Sequence, residues 1–143
     1  MVEADIPTIM RDFVESVGKS DVEKTLSYFA DDAEWMTPIV TFKGKEQIKQ
    51  YLLSEAVQGM KVTETGNGII VQGNKAFFEH NIEATYNGKK ARTLAMCAYE
   101  FNDEKIQQLR TVFDRLIVAQ QVTEGIPKMI AGQIVKQTEK MAR

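Results

Sequence analysis

Phe29-Ala30-Asp31-Asp32-Ala33-Glu34-Trp35-Met36-Thr37-Pro38, followed by Phe42-Lys43-Gly44-Lys45, is the stretch that decides the fold. It reads as the end of one helix, a turn at Asp31-Asp32, a short strand, a loop and the launch of another helix. Trp35 and Thr37 share one side of that strand, and Pro38, with no amide to donate, stops regular pairing. The rest of the chain falls into helices before and just after this stretch, with long strands beyond it.

Upstream, Ile6, Ile9, Met10, Phe13 and Val17 recur at helical spacing, so residues 6–17 predict an amphipathic helix. Asp5 is its N-cap, and Pro7 is tolerated in the first turn. Ser20-x-x-Glu23 reads as a capping box opening a second helix, with Val22, Leu26 and Phe29 turned inward. Downstream, 45–54 predicts a third helix with Ile48, Tyr51 and Leu52 inside. Then the period changes from helical to alternating.

Residues 61–71 predict a strand that bends at Gly66-Asn67-Gly68. After a turn at Gly73-Asn74, residues 75–86 alternate, with Phe78, His80, Ile82 and Ala84 on one face. Asn87-Gly88 is the strongest hairpin signal in the chain, because a type I′ turn needs positive φ at both positions. The returning strand, 89–101, places Thr93, Ala95, Cys97 and Tyr99 on one face. Residues 102–105 turn again, and 106–118 predict the last strand. Gly125 and Pro127 break the chain before an amphipathic helix over 128–142 with Ile130, Ile134 and Met141 on one side. The order predicts an α+β chain with a meandering antiparallel sheet.

At 143 residues the chain suits one domain, here 1–122 with a helical extension at 123–143. The net charge of −2 gives no electrostatic footprint for nucleic acid. A single cysteine allows no internal disulfide, which fits a reducing cytoplasm. No apolar run approaches a membrane span, and the start, with Glu3 and Asp5, lacks a basic, apolar leader. The expectation is a cytoplasmic protein without membrane or nucleic-acid partners. One histidine and one cysteine supply no ligand-spaced metal pair, and no glycine loop suggests a phosphate-bearing cofactor, so neither is expected.

Ser20-Asp21 before a helix ending Tyr28-Phe29-Ala30-Asp31-Asp32-Ala33, then Lys43-Gly44, Tyr86-Asn87-Gly88-Lys89 and Arg110-Thr111-Val112-Phe113-Asp114, carry a resemblance. In order and spacing they resemble the SnoaL-like and ketosteroid-isomerase-like branch of the nuclear transport factor 2-like superfamily. The resemblance implies a cone: a curved antiparallel sheet wrapped around three helices (a cystatin-like α+β barrel), plus the C-terminal helix. It also implies a deep apolar pocket for a small molecule and a homodimer through the outer sheet face.

Activity does not follow from fold, because catalytic groups are grafted onto shared scaffolds. The ketosteroid isomerase set is a tyrosine and a protonated aspartic acid as oxyanion hole, with a second aspartate as base; that enzyme is a standard example of pKa tuning. By motif alignment these positions fall on Phe13, Cys97 and Thr37, none of which can do the original work. The acid–arginine–acid set of the epoxide hydrolase relatives meets Glu79-His80-Asn81, and their last-strand acid meets Thr111.

His80 is the remaining catalytic candidate, as general acid or base. A lone histidine on an apolar face is equally what a satisfied core residue looks like. Thr37, Thr111 and Tyr99 are candidates for positioning a carbonyl or a water, and Phe13, Trp35, Tyr51, Ile82, Cys97 and Phe113 for lining the pocket. Asp31-Asp32 reads as a solvated helix end, and Glu79, Glu83, Arg110 and Asp114 as charge on the opposite sheet face. The expected activity is proton transfer of isomerase, cyclase or dehydratase type, with a non-catalytic ligand-binding or dimerising module as the alternative.

Overall fold

In the computed structural model, which describes residues 5–143 and so leaves Glu3 outside, alternate residues from Ala76 to Ala84 are buried. That period of two is the mark of a strand with one face on a core and one on water. The elements run α1 (Ile6–Gly18), α2 (Val22–Ser27), β1 (Phe29–Met36), β2 (Thr41–Lys43), α3 (Gly44–Leu52), β3 (Lys61–Gln72), β4 (Lys75–Tyr86), β5 (Lys89–Asn102), β6 (Lys105–Phe113), α4 (Arg115–Val122) and α5 (Gly125–Ala142). The six strands form one sheet in the order β2-β1-β6-β5-β4-β3.

The hairpin at Asn87-Gly88 forms with both residues at positive φ, and β4 and β5 pair without interruption from Lys75↔Glu100 to Tyr86↔Lys89. In β3 the register jumps from Glu64↔His80 to Ile69↔Phe78, so four residues stand opposite Glu79 alone. Gly66 and Gly68 adopt the left-handed φ this bulge requires. A Cβ on Gly66 would come within 2.3 Å of the Glu79 carboxylate, which fills the bulge. Such irregularities bend a sheet, and this one curls around α1, α2 and α3.

Several expectations are corrected. The sheet is not wholly antiparallel, because β1 runs parallel to β6. Asp31-Asp32 belongs to β1 rather than to a helix end, and its carboxylates diverge: Asp31 lies 3.5 Å from Lys45 Nζ, while Asp32 accepts from Gln107. The segment read as a loop after Pro38 holds the short strand β2. Helix α2 is capped by Asp21, which accepts from the Lys24 amide, and Ser20 instead accepts from the Gly59 amide. Asp5 occupies the cap position of α1 without a side-chain bond.

The last correction is the largest. The strand expected to reach residue 118 ends at Phe113, and Asp114 caps α4, accepting from the amides of Leu116 and Ile117. Helix α4 lies beside the part of β5 that β6 no longer covers. There the Gln121 side chain accepts from the Arg92 amide and donates to the Arg92 carbonyl. It supplies both bonds that a neighbouring strand would have made, so the edge is blunted. Helix α5 begins three residues earlier than expected, at Gly125.

The main core sits between the concave face and the helices. Ile6, Met10, Phe13 and Val17 of α1 meet Ile48 and Leu52 of α3, Phe29 and Trp35 of β1, and Phe78, Cys97, Tyr99 and Leu109 of the sheet. Phe13 is its hub, with ring centroids of Tyr28, Phe29, Trp35 and Tyr99 between 5.4 and 6.2 Å away.

Candidate ligand-binding cavity

The inward alternation of β4 leaves an apolar cavity where the sheet curves away from α1. Phe13, Val14 and Val17 of α1, Trp35 of β1 and Tyr51 of α3 form one wall. Phe78, His80, Ile82 and Tyr86 of β4, Cys97 and Tyr99 of β5, and Leu109, Thr111 and Phe113 of β6 form the other. Met60 and Val62 close one side. The space inside is about 50 Å³. Val14, Met60, Val62 and Phe78 also floor an open groove of about 590 Å³ between α1 and β3. The Arg11–Glu64 ion pair, 2.8 Å long, stands at the rim of that groove.

No aspartate, glutamate, lysine or arginine lines the cavity. Its polar atoms come from neutral groups. His80 is buried, its ring stacked on Phe78 with centroids 4.3 Å apart. Nδ1 lies 3.3 Å from the Phe78 carbonyl oxygen. Only a protonated Nδ1 can donate there, which leaves Nε2 of the neutral ring as an acceptor. Burial pulls the His80 pKa below its ordinary value, opposed by the bond to Phe78. The imidazole is therefore neutral near pH 7.

Trp35 Nε1 donates to Thr111 Oγ1 at 3.0 Å, and the same oxygen lies 3.3 Å from Cys97 Sγ. Thr111 thus orients the indole and satisfies a polar atom that would otherwise cost stability. Burial pushes the Cys97 thiol up to about 12, against a smaller lowering by Thr111, so sulfur stays protonated and unreactive. Burial likewise raises Tyr51, with Tyr86 and Cys97 adding, and raises Tyr86 and Tyr99, so all three remain phenols.

Among the described residues, neither His80 Nε2 nor the Tyr99 hydroxyl has a hydrogen-bond partner. Neither is a sealed, unsatisfied atom. Both residues are almost wholly buried, so the space their free polar atoms reach is the cavity that both border. With the hydroxyls of Tyr51 and Tyr86, which line the same cavity and also have no partner among the described residues, it offers one imidazole acceptor and three phenols in an apolar, uncharged surround.

A model of the SnoaL-like domain matches residues 10–109. The chain belongs to the SnoaL-like family. Solved structures repeat this SnoaL-like fold at low identity. A hypothetical protein from Catenulispora acidiphila with a ketosteroid isomerase-like fold, solved with trimethylamine, superposes with TM-score 0.72 at 17% identity. The match covers 80% of this chain and 92% of that one. An M. tuberculosis LEH-like epoxide hydrolase gives TM-score 0.69 at 14% identity, covering 90% of this chain and 94% of that one. TerC, co-crystallised with polyporic acid, gives TM-score 0.69 at 21% identity, covering 80% and 95%. No curated protein matches the chain.

Of the SnoaL-like chain's candidate residues, Phe13, Trp35, Tyr51, His80, Ile82, Cys97, Tyr99, Thr111 and Phe113 border the one cavity. Thr37 does not. Its hydroxyl donates to the Val40 carbonyl and accepts from the amides of Ile39 and Val40, closing the turn that Pro38 starts. Asp114 is a helix cap and not sheet-face charge. Sequence reasoning did not name Val14, Val17, Met60, Val62, Phe78, Tyr86 and Leu109 as lining residues. Tyr86 was findable, since it continues the 78-80-82-84 alternation. Val14 was findable too, four residues after Met10 and three before Val17 on α1, whereas Met60 lies outside the regular elements. Among the described residues no three His, Cys, Asp or Glu side chains gather as a metal site, and no helix is long and apolar enough to cross a membrane.

Proposed function

We propose that this SnoaL-like protein takes a neutral, apolar, carbonyl- or hydroxyl-bearing small molecule into the cone. The observation that carries this reading is the uncharged lining, whose free polar atoms include Nε2 of His80 and the hydroxyl of Tyr99. A carboxylate or ammonium would be desolvated there with no counter-charge, at a cost of several kcal/mol. A ketone, phenol or quinone loses little and gains a hydrogen bond. As a catalyst, His80 Nε2 would accept a proton from a carbon beside the ligand carbonyl, and Tyr99 would donate to the developing oxyanion. This is proton transfer of isomerase, cyclase or dehydratase type. The second reading, a non-catalytic binder, is favoured by Phe13 and Cys97 standing where ketosteroid isomerases carry their oxyanion donors.

A panel of neutral ketones, phenols and quinones, each paired with a carboxylate of similar shape, tests the reading through Trp35 fluorescence and calorimetry. Neutral members bind, their carboxylate partners at least tenfold more weakly, and Tyr99→Phe weakens the carbonyl ligands. Carboxylates binding as well as their neutral partners would overturn it. Turnover lost in His80→Ala supports catalysis; saturable binding without turnover supports the binder.

We also infer a homodimer through the outer sheet face, where Ile70, Phe77, Leu94, Met96 and Val112 are exposed together. A patch of this kind on one sheet face marks an interaction surface.

A further inference from the structure

Glu64 stands beside His80 and is turned away from it. The two are directly opposed across β3 and β4, the last regular pair before the bulge. Directly opposed residues of antiparallel strands share a face and have Cβ atoms about 5 Å apart, within reach of two side chains of this length. The carboxylate instead turns across the groove to α1. Arg11 Nε donates to its Oε1 at 2.8 Å and Nη2 to its Oε2 at 3.4 Å, the paired geometry that suits a guanidinium. Gly68 makes room for this posture, since a Cβ there would come within 3.0 Å of Glu64 Oε2. Glu64 therefore borders the groove and His80 the cavity, with Val62 and Phe78 lining both.

What faces the imidazole decides how much that carboxylate matters. From α1 come Phe13, Val14 and Val17, from β1 Trp35 and from β6 Thr111, none of which titrates. Tyr51 of α3, Tyr86 of β4, and Cys97 and Tyr99 of β5 do titrate, but burial holds all four protonated through the range in which an imidazole takes a proton. In the groove, Glu15 and Lys19 of α1 lie 2.5 Å apart and cancel, and Lys61 of β3 stands 4.0 Å from Glu83 of β4. Of the charged residues lining groove or cavity, Arg11 and Glu64 remain, and paired they cancel too. Without the guanidinium, Glu64 would be a bare carboxylate one strand away from a neutral imidazole, in surroundings where the attraction between unlike charges is stronger than in water.

We propose that Glu64 is the positioning carboxylate of His80 and that Arg11 is its latch. Held by Arg11, Glu64 leaves the ring neutral; released, it turns to the ring across the strands and stabilises the imidazolium. In the proton transfer described above, His80 Nε2 takes the proton from the carbon and later returns it to the ligand, while Glu64 takes no proton and strengthens the base. Both latch groups line the groove, so a molecule lying there competes for the same contacts. This rests on the reading of His80 as the proton acceptor and adds a residue from outside the cavity.

The single imidazole lets a proton NMR titration of the full chain read this pairing directly, with no ligand present. Arg11→Met should raise the His80 midpoint by about one pH unit or more, the effect of an opposite charge brought next to the ring. Arg11→Met/Glu64→Gln should return it to the midpoint of the unmutated protein, and Glu64→Gln alone should not raise it. The side chains of Arg11 and Glu64 are exposed, so the variants keep the fold, with circular dichroism as the check. A midpoint unmoved in Arg11→Met overturns the proposal. So does a rise that survives Glu64→Gln, which would trace it to water entering the cavity and not to the carboxylate. Failure of every neutral ligand in the panel above would remove the chemistry that Glu64 serves while leaving the titration unchanged, so the two readings fail separately.

Discussion

His80 combines burial, a stacked neighbour and one backbone acceptor, so its protonation is tied to folding. Its folded pKa is lowered chiefly by desolvation. The unfolded chain keeps a value of about 6.5. Below that pH the unfolded state binds a proton that the folded state refuses, so stability falls as pH falls, by up to about 1.4 kcal/mol per unit, until the folded pKa is reached. Above it both states are neutral and the effect vanishes. Urea unfolding between about pH 5.5 and about pH 7 should therefore show a loss toward acid that is smaller in His80→Phe, which keeps a ring against Phe78. The single imidazole resonance should titrate below the ordinary midpoint. Equal slopes in the two proteins, or a midpoint at or above the ordinary value, would count against this burial. Single residues also show where the sequence stops being legible. His80 was readable because alternation fixes direction. Thr37 was misassigned because a threonine on a short strand and one folded back on its own turn have the same local sequence, and only the three bonds to Ile39 and Val40 separate them.

At the scale of elements, alternation and glycine signals carried β3, β4, β5 and their turns, because a period of two and positive φ are local properties of the chain. Helix α4 was hidden for a related reason. Val112-Phe113 and Leu116-Ile117-Val118 are rich in strand formers, so a helix there draws on tertiary packing and on its cap more than on propensity. That makes the cap testable. Asp114→Ala removes the acceptor for two amides and should cost about 0.5–2 kcal/mol, read as a lower urea midpoint with an unchanged slope, while Asp114→Asn should restore most of it. Because Gln121 covers the β5 edge from this helix, the alanine variant should also aggregate sooner on heating. A midpoint unchanged by Asp114→Ala would mean that packing alone holds α4.

At the scale of the whole molecule, a chamber of about 50 Å³ stands beside a groove of about 590 Å³. The two share Val14, Met60, Val62 and Phe78. Val14 and Phe78 are carried by α1 and β4, and Val62 is paired to Ile82 within the sheet. Met60 precedes β3, outside the regular elements, and its unbranched thioether is the most adaptable side chain of the four. If Met60 is the movable partition, shortening it joins chamber to groove. Trp35 reports this without a ligand, since it is the sole tryptophan and borders the chamber. In Met60→Ala, quenching by neutral acrylamide should rise at least twofold. Quenching by iodide should stay low, because an anion is poorly solvated between walls that hold no charge. Leu94→Ala, on the outer face, should change neither. Unchanged acrylamide quenching in Met60→Ala would move the partition to Val14 or Val62. Iodide quenching that rose with acrylamide would show a water-filled channel in place of an apolar one, and the preference for neutral ligands would fall with it.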